Sequence, residues 1–172
     1  MPLKIRAERE AEYAEIYDLV KTAFETAKVS DGDEQDYLNK LREDKERYIP
    51  DLALVAELCG ALVGQVILTK TYVAAESGKE ESLLLGPVAV LLGFRERGIG
   101  AALINEALAR AKNLGFRAVF LCGDPAYYGR FGFKSVSDYD ITYDMDIPAQ
   151  YVLVCELQPD WLKRIKGKIA IM

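Results

Sequence analysis

The 172-residue chain contains no histidine. Histidine is the commonest general base of enzymes, the commonest metal ligand and the partner of serine or cysteine in nucleophilic pairs. Its absence removes most of the support for a hydrolase or a metalloenzyme, and we expect no metal.

Cysteine is scarce. Cys59, Cys122 and Cys155 are odd in number, far apart and without the spacing of metal ligands. This pattern predicts reduced, mostly buried thiols rather than a disulfide framework, and it favours a cytoplasmic location.

Long apolar runs are also missing. No stretch approaches the ~20 residues of a membrane span, and the N-terminus lacks the apolar region of a signal peptide. We therefore expect a soluble protein with no membrane partner. The net charge of -5 argues against a general nucleic-acid binder, although a local basic patch around Arg95 and Arg97 stays open.

The residues that are present suit one domain over 1–172, because 51% of them are hydrophobic and no repeat or linker is apparent. Residues 3–6 alternate like a short strand, and residues 13–24 have the apolar spacing of an amphipathic helix. A hairpin over 52–72 turns at Cys59-Gly60, and residues 151–157 form a late strand. This order predicts an α+β fold with a mixed sheet.

The central strand is interrupted. The apolar run 82–92 has the length and composition of a buried strand, but Gly86-Pro87 lies inside it. Proline has no N–H for a strand ladder, and a glycine within a strand often marks a bulge. We therefore expect the strand to be broken or splayed near Gly86.

A glycine-rich turn follows at 93–100 and leads into a helix that ends near Leu114. The first N–H groups of a helix lack partners, and the helix dipole places partial positive charge there. Glycines let the main chain approach a phosphate closely, and Arg95 and Arg97 add charge. The segment predicts a diphosphate site.

Other interpretations of the turn are open. It is a tight turn with solvated arginines if no ligand binds. A P-loop is excluded because its Gly-x-x-x-x-Gly-Lys-Ser/Thr pattern is absent. A dinucleotide fingerprint is favoured by Asp124 after the next strand, but its third glycine would fall on Leu103 and a charged segment separates its glycines from the strand.

Residues Arg95 to Gly100 match the Arg/Gln-x-x-Gly-x-Gly/Ala motif, and Tyr128 to Phe133 match Tyr-x-x-x-Gly-Phe. Two motifs in this order resemble the GNAT acetyltransferase superfamily, and the segment 123–133 is similar to YhbS-like predicted bacterial acetyltransferases. The resemblance covers most of the chain, most securely 52–133. It implies a mostly antiparallel central sheet flanked by helices and splayed at its central strand.

The resemblance also implies the chemistry: direct transfer of an acetyl group from acetyl-CoA to an amine, without a covalent enzyme intermediate. The strand that orients the thioester would contain Val88, Ala89 and Val90, which are also core residues by their apolar character. The diphosphate would be held through the main chain by Arg95, Glu96, Arg97, Gly98, Ile99, Gly100 and Ala101.

Tyr128 stands at the general-acid position of the family. A phenol is protonated at neutral pH and can donate to a departing thiolate. The same ring, beside other aromatics, would also suit a core. The base is open among Glu25, Glu57, Glu81 and a water chain.

The connection between the first two helices contains Asp31, Asp33, Glu34 and Asp36. It is either a solvated turn with Asp33 as N-cap or an acidic border that attracts a cationic amine of a small molecule or peptide. A non-catalytic sensor that holds acyl-CoA is the alternative function. A homodimer would be unsurprising in this superfamily.

Overall fold

A computed structural model describes residues 2–26 and 32–171. Asp31 of the acidic connection lies outside these residues. Within them, the helices are α1 (Tyr13–Phe24), α2 (Glu34–Glu43), α3 (Ile99–Asn113) and the single turn α4 (Pro125–Tyr128).

The strands of the described residues form a mixed, mostly antiparallel sheet flanked by helices, which confirms the predicted α+β class. Only the pairs β4–β5 and β7–β9 are parallel among the pairs seen there. The strands are β1 (Lys4–Ala7), β2 (Tyr48–Leu58), β3 (Ala61–Ala75), β4 (Gly78–Val90), β5 (Ala118–Cys122), β6 (Lys134–Ser135), β7 (Ile141–Thr142), β8 (Val152–Glu156) and β9 (Gly167–Ile169).

The chain divides into two compact units. The first comprises Met1–Thr69 and Gly86–Arg110, and the second comprises Lys70–Leu85 and Ala111–Met172. Strands β3 and β4 and helix α3 each contribute residues to both units.

In the first unit, β1 and β3 flank β2 in antiparallel register. The β2–β3 turn has Cys59 and Gly60 at φ 53° and 79°, as a tight hairpin requires. The apolar face of α1, with Ile16 and Val20 fully buried, packs against α2 and the sheet. Burial of this stripe is the main reason that these helices form, as the apolar spacing predicts.

A buried ionic cluster attaches α2 to the sheet. Arg42 donates from Nε and Nη2 to the two carboxylate oxygens of Glu8, at 2.8 and 2.9 Å. The Tyr48 hydroxyl donates to the same carboxylate at 2.8 Å, and the Arg42 guanidinium lies 4.0 Å from the Tyr13 ring centroid. A charge pair that is both bidentate and supported by a third donor holds α2 against the sheet.

In the second unit, β5 lies between β4 and β8. It pairs in parallel with β4 at Leu83 and Leu84, and antiparallel with all of β8. Both paired residues of β4 precede Gly86, whose φ is +133° and whose peptide bond to Pro87 is cis. The left-handed Gly86 therefore departs from regular strand geometry where the sequence places the interruption, although β4 itself continues to Val90.

The C-terminal segment, about which the sequence says little, completes the second unit. Trp161 and Leu162 are buried in its core with Phe120 of β5. Strand β9 pairs with β3 on one side and with β7 on the other. Removal of this segment would therefore expose both apolar core and strand edges.

The prediction that the thiols are mostly buried was wrong. Cys155 is buried, and its pKa is raised to about 11 by burial and by the nearby Glu156. Cys59 and Cys122 are exposed because they stand in the hairpin turn and at the last position of β5. Within 2–26 and 32–171, no helix is both long enough and apolar enough to cross a membrane.

Candidate active site

The last residues of β4 present two different faces. Ala89 is buried in the core of the first unit, whereas Val88 and Val90 are half-buried. Successive side chains of a strand point to opposite faces, so one face of this segment packs and the other is partly open. Both interpretations of these residues, core strand and ligand-facing strand, are compatible with this arrangement.

Strand β3 holds this segment of β4 by polar contacts. The side chain of Gln65, which is only 2% exposed, donates to the C=O of Pro87 at 3.1 Å. The N–H of Leu91 donates to the C=O of Val63 at 2.9 Å. A buried amide must be hydrogen-bonded to be tolerated, so the Gln65 bond fixes the chain just after the interruption.

Gly64 allows close packing at the same place. A Cβ added there would stand 3.0 Å from the carbonyl oxygen of Ala89, 3.0 Å from a methyl of Leu103 and 3.4 Å from a methyl of Ile99. The absence of a side chain therefore lets β4 and the first turns of α3 approach β3 together.

The turn between β4 and α3 has two left-handed residues. After a short 3₁₀ turn over Leu92–Phe94, Glu96 has φ +63° and Gly98 has φ +78°. Glycine adopts this conformation without strain, whereas glutamate does so at a cost of roughly 1 kcal/mol or more. The main chain then enters α3 at Ile99, whose side chain is buried and anchors the helix start.

The start of α3 has the donors that an anion needs. The first hydrogen bond of this helix runs from the N–H of Ala102 to the C=O of Gly98, at 3.0 Å. The N–H groups of Ile99, Gly100 and Ala101 therefore have no acceptor within the helix. Together with the helix dipole, they make this turn suitable for a phosphate group.

The two arginines of the turn have different surroundings. Arg97 is exposed, with its guanidinium 5.4 Å from the Phe94 ring centroid. Arg95 is half-buried and donates to Val90 C=O, Thr26 Oγ1 and Ala23 C=O at 2.9, 3.1 and 2.7 Å. From the sequence, both arginines are expected to add positive charge to the diphosphate site. No sequence pattern indicates the contacts that Arg95 makes with Ala23 and Thr26.

Tyr128 belongs to the second unit and ends α4. Asp124 begins this helix, because its carboxylate accepts from the N–H of Ala126 at 2.9 Å and Pro125 occupies the first position. A 3₁₀ turn follows and ends at Gly132, which is left-handed with φ +93°. The Gly-Asp-Pro and Gly-Phe parts of the motif are therefore the beginning and the end of a short helical segment.

The Tyr128 ring is packed among aromatics. Its centroid lies 4.9 Å from Tyr127, 5.9 Å from Phe133 and 6.4 Å from Phe131. Burial, with a smaller contribution from Tyr127, raises the pKa of Tyr128 to about 12. The side chain is therefore a neutral phenol throughout the physiological range.

The three carboxylates suggested as bases differ in their surroundings. Glu57 accepts from Arg6 at 3.1 Å, and Arg6 also pairs with Glu12 at 2.6 Å. Glu81 is largely exposed, 4.0 Å from Lys70, and Glu25 is exposed just after α1.

Among the described residues, no group of three or more acidic or cysteine side chains could hold a metal ion.

The described acids of the α1–α2 connection lie at the start of α2. Asp33 is at the N-cap position, where its C=O accepts from the N–H groups of Asp36 and Tyr37. Asp33 therefore stands at the N-cap position as expected, but its side chain makes no capping bond. The Asp36 carboxylate accepts from the Tyr17 hydroxyl at 2.9 Å.

An irregular central strand, a glycine turn and a helix start suited to a phosphate, in an α+β fold, agree with the acyltransferase that the two sequence motifs resemble. Residues 4–136, more than half of the chain, match the family model described as an acetyltransferase (GNAT) domain. The chain belongs to the GNAT acetyltransferase family.

Individual relatives agree with this assignment. The uncharacterized N-acetyltransferase YjhQ of Escherichia coli K12 is 30% identical over 129 residues, which are 75% of this chain and 68% of YjhQ. A Brucella melitensis GNAT acetyltransferase, solved with acetyl-CoA, has a TM-score of 0.80 and 30% identity over 99% of this chain and 96% of its own. Escherichia coli YhbS, solved with CoA, has a TM-score of 0.85 and 27% identity, with 97% and 88% covered.

Proposed function

We propose that this protein transfers the acetyl group of acetyl-CoA directly to an amine of a small molecule or peptide. The observation that supports this most strongly is the turn before α3, where three consecutive N–H groups follow the left-handed Gly98. The relatives solved with acetyl-CoA and CoA support the same cofactor.

The diphosphate of acetyl-CoA would bind at the start of α3. The N–H groups of Ile99, Gly100 and Ala101 would donate to its oxygens, and the main chain of Glu96 to Gly98 would complete the turn around it. The N–H of Arg95 already donates to the C=O of Leu92 at 3.3 Å, so the free donors begin after it. The exposed Arg97 would add a full positive charge.

The main chain of Val88 to Val90 would orient the thioester. The amine nitrogen attacks the carbonyl carbon, a C–N bond forms, and the C–S bond breaks with its electron pair on sulfur. The amine proton passes to a carboxylate or to water. Most of the rate acceleration would come from placing the two reactants in attack geometry, which requires few reactive side chains.

Tyr128 would donate a hydrogen bond to the departing sulfur. Its raised pKa of about 12 keeps the proton in place at neutral pH. Full transfer to a thiolate, whose thiol has a pKa of about 8.5, is unfavourable by roughly 3.5 pKa units. We infer that the phenol stabilises the developing negative charge and does not accumulate as tyrosinate.

We further propose a cationic amine or a lysine-like group as the acceptor. The α1–α2 connection, which borders the acceptor side in the family resemblance, carries Asp31, Asp33, Glu34 and Asp36. Carboxylates at this border would raise the local concentration of a cation, and they would also favour its protonated form. The proton would then have to be lost close to the thioester.

The alternative is a sensor that binds acyl-CoA without turnover. Tyr128 favours the enzyme, because a binding module has no use for a proton donor at the family's acid position. Incubation with acetyl-CoA, a panel of amines and a thiol reagent separates the two functions. Thiol release with some amines and not with others is expected. If acetyl-CoA stabilises the protein thermally but no amine of the panel causes thiol release, the protein is a sensor.

A further inference from the structure

We propose that Arg95 is a positioning residue and not a ligand of the diphosphate. Its side chain couples the end of α1 to the turn over residues 95–100, where acetyl-CoA is proposed to bind. The proposal rests on the proposed function, because that function places acetyl-CoA at the turn before α3. It concerns the side chain of Arg95 and its contacts within the first unit.

The contacts of Arg95 with α1 are those of a C-terminal cap. The last four C=O groups of a helix have no partner within it, and the dipole makes that end partly negative. Ala23, the penultimate residue of α1, accepts from Arg95 Nη2 at 2.7 Å. A guanidinium at this position satisfies a carbonyl and neutralises partial charge.

Thr26 closes a small network around this cap. Its hydroxyl accepts from Arg95 Nη1 at 3.1 Å and donates to the C=O of Ala23 at 3.3 Å. The helix end and the first residues after it are therefore bonded to one planar group. This is the point at which the chain enters the acidic connection on the proposed acceptor side.

The third contact of Arg95 is with the end of β4, the strand that is proposed to orient the thioester. Nε donates at 2.9 Å to the C=O of Val90, the last residue of β4. Arginine presents its donors in a rigid fork, so three bonds fix the strand end and the helix end relative to each other. A lysine, with one flexible charged atom, would not reproduce this geometry.

Coupling follows from this arrangement. Binding of CoA would order the turn that carries Arg95. Because the guanidinium is hydrogen-bonded to the end of α1, the last turn of α1 would become more ordered as well. By linkage, any effect of CoA on the acceptor side is matched by an equal effect of the acceptor on CoA affinity. Arg97, which is exposed and lies 5.4 Å from the Phe94 ring centroid, provides the contrast within the same turn.

The test compares Arg95→Gln with Arg97→Gln. Calorimetry at low and high salt measures CoA affinity, and hydrogen exchange of the Ala23 to Thr26 amides is followed with and without CoA. For Arg95→Gln we expect CoA affinity within about threefold of the parent protein and an unchanged salt dependence, but loss of the protection that CoA gives to these amides. For Arg97→Gln we expect weaker, less salt-dependent binding and retained protection.

Kinetics give a second measurement. Arg95→Gln should raise the acceptor KM about tenfold while the KM for acetyl-CoA changes little, and Arg95→Lys should not restore it. Thr26→Val, which keeps the charge of Arg95 and its bonds to Ala23 and Val90 but removes both bonds of the Thr26 hydroxyl, should show a smaller change in the same direction. It also provides the test if the Arg95 variants do not fold.

Two results would overturn the coupling. A loss of CoA affinity in Arg95→Gln of about tenfold or more, with the reduced salt dependence of Arg97→Gln, would make Arg95 a phosphate ligand. Unchanged protection of α1 by CoA in a folded Arg95→Gln variant would show that Arg95 does not transmit it. Failure of the parent protein to bind CoA contradicts the proposed function itself.

Discussion

The ring of Tyr128 lies against the main chain of Gly123. A Cβ built on this glycine would stand 2.6 Å from Cε2 and 3.0 Å from Cδ2 of the tyrosine. The N–H of Gly123 also donates to the C=O of Tyr151 at 2.9 Å, which fixes the glycine on the sheet. Gly123 therefore determines where the phenol can stand.

Gly123→Ala should displace the Tyr128 ring, because a contact of 2.6 Å cannot be kept. We expect turnover to fall about tenfold or more, since misplacement of about 1 Å is costly in catalysis. Acetyl-CoA affinity should change by no more than about twofold. Steady-state kinetics and calorimetry measure the two effects.

Gly129→Ala is the matched control. Gly129 follows α4, has helical φ and ψ of -56° and -31°, and has open space where a Cβ would stand. It should leave turnover unchanged. Full turnover in Gly123→Ala would show that the ring position does not matter for the reaction.

Tyr128→Phe keeps the aromatic packing and removes the hydroxyl. We expect turnover to fall by ~10²-fold, because the developing negative charge on sulfur loses its hydrogen-bond donor, with little change in acetyl-CoA affinity. If Gly123 acts through Tyr128, the double variant should be no slower than Tyr128→Phe alone, because coupled effects are not additive. Wild-type turnover in Tyr128→Phe would leave Tyr128 as a packing residue.

The pKa of Tyr128 predicts a pH dependence. Burial raises it to about 12, above the value of about 10 in the unfolded chain. The native protein therefore binds more protons between these values, so this contribution to stability is present below about pH 10 and is lost as the pH rises toward 12. Tyrosinate absorbance of the parent protein and Tyr128→Phe should coincide up to about pH 11. A difference of one tyrosine with a midpoint near pH 10 would contradict the burial.

Local signals made the main elements predictable. The apolar spacing of 13–24 and the break at Gly86-Pro87 depend on neighbouring residues, and both lie where the sequence indicates. The turn at 95–100 is similarly local, since its glycines and the helix start are adjacent in the chain.

Long-range contacts account for the rest. Arg95 bonds to Ala23, 72 positions earlier, and nothing in the sequence near either residue indicates the partner. In the sequence, Gln65 is an ordinary polar residue of a strand, and its hydrogen bond to the C=O of Pro87 is apparent only in the folded structure. The exposure of Cys59 and Cys122 depends on where strands end, which is the least certain part of a sequence-based prediction.

Gly100→Val should weaken CoA binding far more than it lowers stability. A β-branched side chain in the first turn of α3 would obstruct the main-chain donors of the proposed diphosphate site. Gly100→Ala sharpens the test, because alanine stabilises a helix by about 0.5–1 kcal/mol relative to glycine. Higher thermal stability with lower CoA affinity is the expected combination.

Gly93→Ala is the control for the turn. A Cβ at Gly93 meets no atom within 4 Å, and this residue precedes the helix start. It should bind CoA like the parent protein. Unchanged CoA affinity in a folded Gly100→Val variant would remove the diphosphate from the start of α3.

The acidic connection can be tested by removing charge alone. Asp31, Asp33 and Asp36 are changed together to Asn, which is similar in size. The Asp36 change keeps an oxygen that can accept from Tyr17. If the carboxylates attract a cationic amine, the acceptor KM should rise several-fold at low salt, and the difference should shrink at ~0.1 M salt, where exposed charges are screened over ~10 Å. A neutral amine that reacts with both proteins equally is the control for indirect damage, and CoA affinity should be the same in both. An unchanged KM for the cationic amine at low ionic strength would show that these carboxylates do not attract the acceptor.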